Sequence, residues 1–198
     1  TLSDWIADMT EALAIGRVLG DKVVVISTST GSSLVTWALA RPALGRDVAA
    51  TVSISPNYGL RAFGSFLLTG PFAGPLAHML IGARRGFEPV NEQNAFNWTT
   101  DYPVEALIPM AQAVRLAQHT DVSAIKVPAL FVYSSQDKVV SPDATAAVAA
   151  RWGLSPASTF ACLAAPSATT LSGSRLLSGS RRKNSLTARC TCGIRVAP

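Results

Sequence analysis

Residues 23–37 read VVVISTSTGSSLVTW. Four β-branched residues, Val23 to Ile26, form an apolar run with strong strand preference. A cluster of small residues follows, and from about Ser32 to Ala40 the pattern is that of a helix, stopped by Pro42. Ser29 lies at the centre of the turn, with Ser27 two residues before it and Gly31 two after. This is small-x-Ser-x-small, a relaxed form of the G-x-S-x-G turn that lifts a serine hydroxyl above the edge of a sheet. Small residues are needed on either side because the backbone crowds itself there. In that geometry the N–H of Thr30, near the start of the helix, can face a developing oxyanion. The same five residues also read as an ordinary strand-to-helix turn, and on their own they do not separate the two. A phosphate loop is disfavoured because G-x-x-x-x-G-K is absent.

Upstream, residues 3–19 carry Trp5, Met9 and Leu13 every four residues, with Ile6 on the same face. That spacing predicts an amphipathic helix, with Ser3 or Asp4 as its cap and Gly20 just past its end. The strand at 23–26 is apolar at every position, as expected of a strand covered on both faces inside a parallel sheet. Downstream, residues 50–55 form a second short strand, followed by the loop PNYG. Pro103 opens a helix to about His119, with Val104, Leu107, Ile108, Ala111 and Val114 on its buried face. Residues 127–133, VPALFVY, are a third strand, followed by the loop SSQDKVV. Ser141-Pro142 then cap and start a helix that runs to about Trp152 and ends at Gly153. Strands alternating with helices indicate an α/β domain with a doubly wound, mainly parallel sheet.

Residues 59–102 interrupt that rhythm. Glycine and proline recur, and Phe63, Phe66, Phe72, Phe87, Phe96 and Trp98 are interspersed. Short helices forming a cover over a site are expected here, its aromatics serving as an acyl pocket or as ordinary core. Arg84-Arg85 reads as a solvated turn.

The formal charge of +5 is unevenly placed. Six of the 17 Lys/Arg and none of the 12 acids fall after residue 154, so the body has 11 cations against 12 acids, a net of −1. A near-neutral body offers no electrostatic footprint for nucleic acid. All three cysteines, Cys162, Cys190 and Cys192, lie in the same tail. Their spacing matches neither a disulfide framework nor a zinc site, so no metal or cofactor is expected. The apolar runs are too short for a membrane span. We therefore divide the sequence into a body, 1–154, and a Ser/Ala/Arg-rich tail, 155–198, expected to be poorly packed. The tail is either a native basic arm or a stretch read out of frame. The simultaneous loss of acids, arrival of cysteines and loss of periodicity favour the second.

The order helix, apolar strand, STSTG, helix, strand VSISP, aromatic insertion, helix, IKVPALFVYSSQDKVVSP resembles the α/β-hydrolase superfamily over residues 1–153. The nearest branch is that of serine esterases, monoacylglycerol lipases and serine-aminopeptidase-like enzymes. The resemblance implies Ser29 as nucleophile, Thr30 as an oxyanion donor through its N–H, and Asp137 as the acid that orients a histidine. Asp143 is the fallback acid, although its place suits the first turn of a helix. The implied reaction is hydrolysis of a small-molecule carboxylic ester through an acyl-enzyme.

Two departures limit the inference. In this family the histidine follows the acid, yet the only histidines, His78 and His119, precede Asp137. Only 28 residues precede Ser29, so the fold's usual first strands and its second oxyanion loop are expected to be missing. An impaired enzyme is therefore expected. The competing expectation is a non-catalytic binding protein on this fold, with the basic tail as an interaction arm. The cysteine-free body suits a reducing cytoplasm.

Overall fold

The computed structural model describes residues 1–61, 70, 72–89, 91–153 and 159–161. Helix α1 (Leu2–Leu19) leads into strand β1 (Val23–Thr28), helix α2 (Thr30–Leu39), a single-turn helix α3 (Pro42–Gly45) and strand β2 (Val48–Ile54). A short helix α4 (Ala73–Ile81), strand β3 (Arg84–Gly86), helix α5 (Glu92–Asn97) and strand β4 (Asp101–Pro103) come next. Helix α6 (Leu107–Gln118), strand β5 (Ala129–Val132), helix α7 (Pro142–Ala150) and strand β6 (Thr159–Ala161) complete the described elements.

The main sheet has the order β1-β2-β5-β6, with every neighbouring pair parallel. Parallel neighbours need long crossovers, which is why a helix lies between consecutive strands of this sheet. The α/β class expected from the sequence is the one observed. β6 lies inside the segment assigned to the tail, and it extends the sheet by pairing Thr159 with Ala129 and Ala161 with Phe131. The rest of the tail expectation lies outside the described residues.

The core forms where the helices meet one face of the sheet. Leu13 of α1, Val35, Ala38 and Leu39 of α2, Ala117 of α6, Val148 of α7 and Phe131 of β5 belong to one buried cluster. Phe131 is its centre. Its ring meets Trp152 edge-on at 5.3 Å and Tyr58 at 6.4 Å, geometries that aromatic quadrupoles favour. Trp152 is held in turn by its Nε1–H donating to the Val127 carbonyl at 2.8 Å. Gly153 ends this corner because a Cβ there would collide with the carbonyl oxygens of Ser123 and Ile125.

Several local expectations need correction. β1 is not covered on both faces: Val24 is 59% and Ile26 69% exposed, while Val23 and Val25 pack against the core. β1 ends the strand order, and among the described residues nothing covers that second face. The cap of α1 is Thr1, which accepts from the Asp4 N–H while the Asp4 carboxylate accepts from Thr1; Asp4 is thus the partner in a capping box rather than the cap. Pro103 ends β4, and a 3₁₀ turn at Val104–Ala106 precedes α6. Proline has no N–H to give and suits a strand end as well as a helix start. Arg84-Arg85 is a strand, paired antiparallel with β4 and tied by an Arg84–Asp101 ion pair at 2.7 Å.

The insertion does contain short helices. Ala77 of α4 packs against Val104 and Leu107 in a small second cluster. Of the aromatics named above, the four that are described are not core: Phe72, Phe87 and Trp98 are exposed, and Phe96 is 89% exposed. Phe63 and Phe66 lie outside the described residues.

Candidate active site

The backbone passes from β1 to α2 with Ser29 as the only residue between them. Such an abrupt change of direction forces an unusual conformation. Ser29 has φ 50° and ψ −122°, a region that L side chains avoid and glycine tolerates. A non-glycine held there costs of order 1–3 kcal/mol, which the surroundings must supply.

The surroundings are hydrogen bonds on both sides of the peptide. The Ser29 N–H donates to the Ile54 carbonyl at 3.0 Å, and the Ser29 carbonyl accepts from the Asn57 N–H at 3.0 Å and the Ser32 N–H at 3.0 Å. Below the turn, the hydroxyls of Ser27 and Ser32 meet at 3.0 Å, both buried. A Cβ on Gly31 would touch the Ser27 Cβ at 4.0 Å, so a larger side chain at either place would crowd the other. The small-x-Ser-x-small pattern thus has a packing reason here. The Ser29 side chain is half-buried, and among the described residues its hydroxyl makes no hydrogen bond. The N–H groups of Thr30 and Gly31, at the start of α2, have no acceptor within the helix and lie at its positive end, next to that hydroxyl.

The segment leaving β2 wraps this turn. Ser55 also has positive φ, 41°, and its N–H donates to Val132 of β5 at 2.7 Å. Asn57 and Tyr58 are each 1% exposed. The Asn57 side-chain amide donates to the Thr30 hydroxyl at 3.2 Å, and its backbone carbonyl accepts from the Ser33 hydroxyl at 2.5 Å. The Tyr58 hydroxyl meets that of Thr36 at 2.7 Å. Burial raises the Tyr58 pKa to about 12, although hydroxyl contacts with Thr36 and Ser53 pull it back in part. Tyr58 is therefore a neutral phenol at any physiological pH.

The same segment then reaches the second candidate. Leu60 forms an isolated antiparallel bridge with Val140, the Arg61 N–H donates to the Val139 carbonyl, and the Arg61 guanidinium donates to the Asp137 carbonyl at 2.8 Å. Asp137 follows β5 and is 3% exposed. Its Oδ1 accepts from the N–H groups of Val139 at 2.8 Å and Val140 at 3.1 Å. The other oxygen, Oδ2, takes no part in these bonds. Asp143, the fallback acid, sits in the first turn of α7, where a carboxylate complements the helix dipole. Ser141 caps that helix by accepting from the Ala144 N–H, as its sequence indicates.

β1, β2 and β5 run parallel, so Ser29 and Asp137 emerge at the same edge of the sheet, with the β2 exit between them. The two histidines are engaged with other groups. His78 Nε2 meets Glu105 at 2.5 Å, and that contact holds the Glu105 carboxyl below its ordinary pKa. His119 Nδ1 meets the Arg115 carbonyl at 2.7 Å at the end of α6. Among the described residues no histidine is hydrogen-bonded to Ser29 or Asp137, and no group of three His, Cys, Asp or Glu could hold a metal ion. No described helix is long and apolar enough to cross a membrane.

Sequence reasoning misses Asn57, Tyr58 and Arg61. Their only signal is polar and aromatic residues placed directly after an apolar strand, in SPNYGLR. The loop after β2 carries a buried asparagine and a buried tyrosine.

No protein-family model matches the sequence, and no curated protein matches it. Solved structures do. The protein superimposes on a metagenome-derived lipolytic enzyme of the LipS and LipT pair with TM-score 0.60 and 21% identity, over 77% of this chain and 60% of that one. The monoacylglycerol lipase of Paleococcus ferrophilus matches with TM-score 0.57 and 14% identity, over 77% of this chain and 62% of that one. A soluble variant of monoglyceride lipase from Saccharomyces cerevisiae, solved with a substrate analogue, matches with TM-score 0.55 and 9% identity, over 80% and 57%. At such identities the likeness is one of fold. The protein has the α/β-hydrolase fold of lipases and esterases, and it spans about three fifths of the length of these structures.

Proposed function

We propose that this protein derives its site from a serine hydrolase of carboxylic esters. Ser29 is the nucleophile, the Thr30 N–H is an oxyanion donor, and Asp137 is the acid that would orient a histidine. One observation carries the reading: Ser29 is held at φ 50° on a one-residue passage from a parallel strand to a helix, at the sheet edge that also presents Asp137. Asp47 and Ser55 also have positive φ, so the support lies in the combination at Ser29: a strained strand-to-helix elbow and a hydroxyl left unbonded among the described residues.

In the reaction, Ser29 Oγ attacks the ester carbonyl carbon as a base removes its proton. Negative charge gathers on the carbonyl oxygen, where the Thr30 N–H and the α2 dipole favour it. Collapse expels the alcohol, which takes up the proton, and leaves an acyl-serine. Water then attacks the acyl carbon by the same route and frees the acid.

No histidine follows Asp137 in this sequence. With both histidines bound elsewhere, the Ser29 hydroxyl is a weak nucleophile and turnover is expected to be slow. The structural neighbours are lipolytic enzymes and monoacylglycerol lipases, which supports acylglycerols as the first substrates to try. The α4–β4 region then serves as the cover that selects among them. A cytoplasmic setting suits the cysteine-free body.

The test supplies the base. Imidazole added to the protein should raise fatty-acid release from a short acylglycerol monoester above that of imidazole alone, and Ser29→Ala should abolish the excess. No excess in the presence of imidazole favours the second reading, a non-catalytic binding protein. That reading is supported by the engagement of both histidines with other partners.

A further inference from the structure

We propose that Asn57 is a positioning residue of the elbow, one that braces the Ser29–Thr30 peptide unit through the Ser29 carbonyl on one side and the Thr30 hydroxyl on the other, and so holds the aim of the Thr30 N–H. The proposal rests on the reading of Ser29 as a nucleophile and adds the residue that sets its oxyanion donor.

Three contacts converge on Asn57. Its backbone N–H donates to the Ser29 carbonyl, its backbone carbonyl accepts from the Ser33 hydroxyl, and its side-chain amide donates to the Thr30 hydroxyl. One residue thus touches the first, second and fifth positions of the Ser29–Ser33 turn. The backbone contacts would survive most substitutions. The contact to Thr30 is specific to an amide in this place.

The stability balance of that side group points the same way. Asn57 is 1% exposed, yet among the described residues its Oδ1 has no hydrogen-bond partner. A buried acceptor left unpaired is a cost that an apolar side chain of similar size would avoid. Leucine has nearly the same shape and would not carry that cost. The asparagine therefore makes better sense as a holder of Thr30 than as a contributor to the fold. Thr30 sits in the first turn of α2, where its N–H is not held by an intrahelical bond. That N–H shares a rigid peptide plane with the Ser29 carbonyl, which accepts from the Asn57 N–H, and the Asn57 side-chain amide braces the Thr30 side chain beyond it.

The test separates position from stability. Asn57→Leu, with Asn57→Ala as a second variant, is compared with wild type for thermal midpoint and for the rate at which an alkyl fluorophosphonate labels Ser29 in the presence of imidazole. The expected result is an unchanged or higher midpoint in Asn57→Leu together with about tenfold slower labelling, the worth of one well-placed hydrogen bond. Thr30→Val should slow labelling by a similar factor, and the double variant should be no slower than either single one, because both remove the same contact. Three-bond NMR couplings across the Thr30 χ1 angle add a readout that needs no chemistry. They should report one rotamer in wild type and averaging in Asn57→Leu. Unchanged labelling, additive losses in the double variant, or an unchanged Thr30 rotamer would each overturn the proposal. If wild-type Ser29 resists the probe altogether, the nucleophile reading falls, while the Thr30 couplings still decide whether Asn57 fixes the turn.

Discussion

The Ser29 carbonyl and the Asn57 N–H are joined by a hydrogen bond of 3.0 Å, and that bond ties the strained exit of β1 to the segment leaving β2. Four residues further on, Arg61 grips the loop that carries Asp137. The nucleophile candidate and the acid candidate are thus held by one strap, residues 57–61, rather than by contact with each other. The sheet sets the edge at which both emerge, and the strap links the two loops across it.

If Ser29 is strained for a functional reason, removing its side chain should relax it. Ser29→Gly suits φ 50° without penalty and is expected to stabilise the protein by about 1 kcal/mol, within the range that strained residues store. Ser29→Ala keeps the Cβ and should not. Urea midpoints of the two variants measured side by side check this.

Asp137 has a structural duty besides its proposed chemical one. Asp137→Asn keeps an oxygen that can accept from the Val139 and Val140 N–H groups and should fold with near wild-type stability. Asp137→Ala orphans both amides, one of them on a buried residue, and should cost about 1–3 kcal/mol. A loss of the same size in both variants would contradict the hydrogen-bonding account. Imidazole-assisted labelling of Ser29 in Asp137→Asn then reads its electrostatic role separately from stability.

The core has a single aromatic hinge point. Phe131→Ala would empty the space between Tyr58 and Trp152 and should destabilise by about 3–5 kcal/mol, since the ring is 1% exposed and touches both neighbours. Denaturant unfolding followed by tryptophan fluorescence checks it, with Ala113→Gly in α6 as a milder control expected to cost about 1–2 kcal/mol, since it loses helix propensity and a buried methyl.

Alkali should loosen the strap before the rest of the fold. Tyr58 ionises at about 12 in the folded protein, above its ordinary value of 10.0, so the folded state keeps a proton that the unfolded state gives up. Stability from this group is fully present below about pH 10 and declines as pH rises towards about 12, by up to about 3 kcal/mol. Unfolding free energies measured across that window should fall, and Tyr58→Phe should flatten the fall. Absorbance titration should show one late-ionising phenol that the variant lacks.

Much of this arrangement is legible in the sequence, and the parts that are not have physical reasons. The β1–α2 turn can be read because its chemistry is local: five small residues and a change of hydrophobic period. The SSQDKVV loop is legible for the same reason. The exposed face of β1 is not, because an apolar run carries no sign of what lies above it. Val24 and Val25 are the same residue type, yet one is open to solvent and the other packs on the core. Nor is Asn57 legible. Its importance depends on Ser29, Thr30 and Ser33, which lie 24 to 28 residues away in the sequence, and no local pattern encodes a contact made across two strands.

The most direct measurement is mass spectrometry of the protein after treatment with an alkyl fluorophosphonate and imidazole. The account predicts one adduct, on the peptide containing Ser29, and its disappearance in Ser29→Ala with the other serines left unmodified. An unlabelled Ser29 peptide, or equal labelling of wild type and Ser29→Ala, would contradict it.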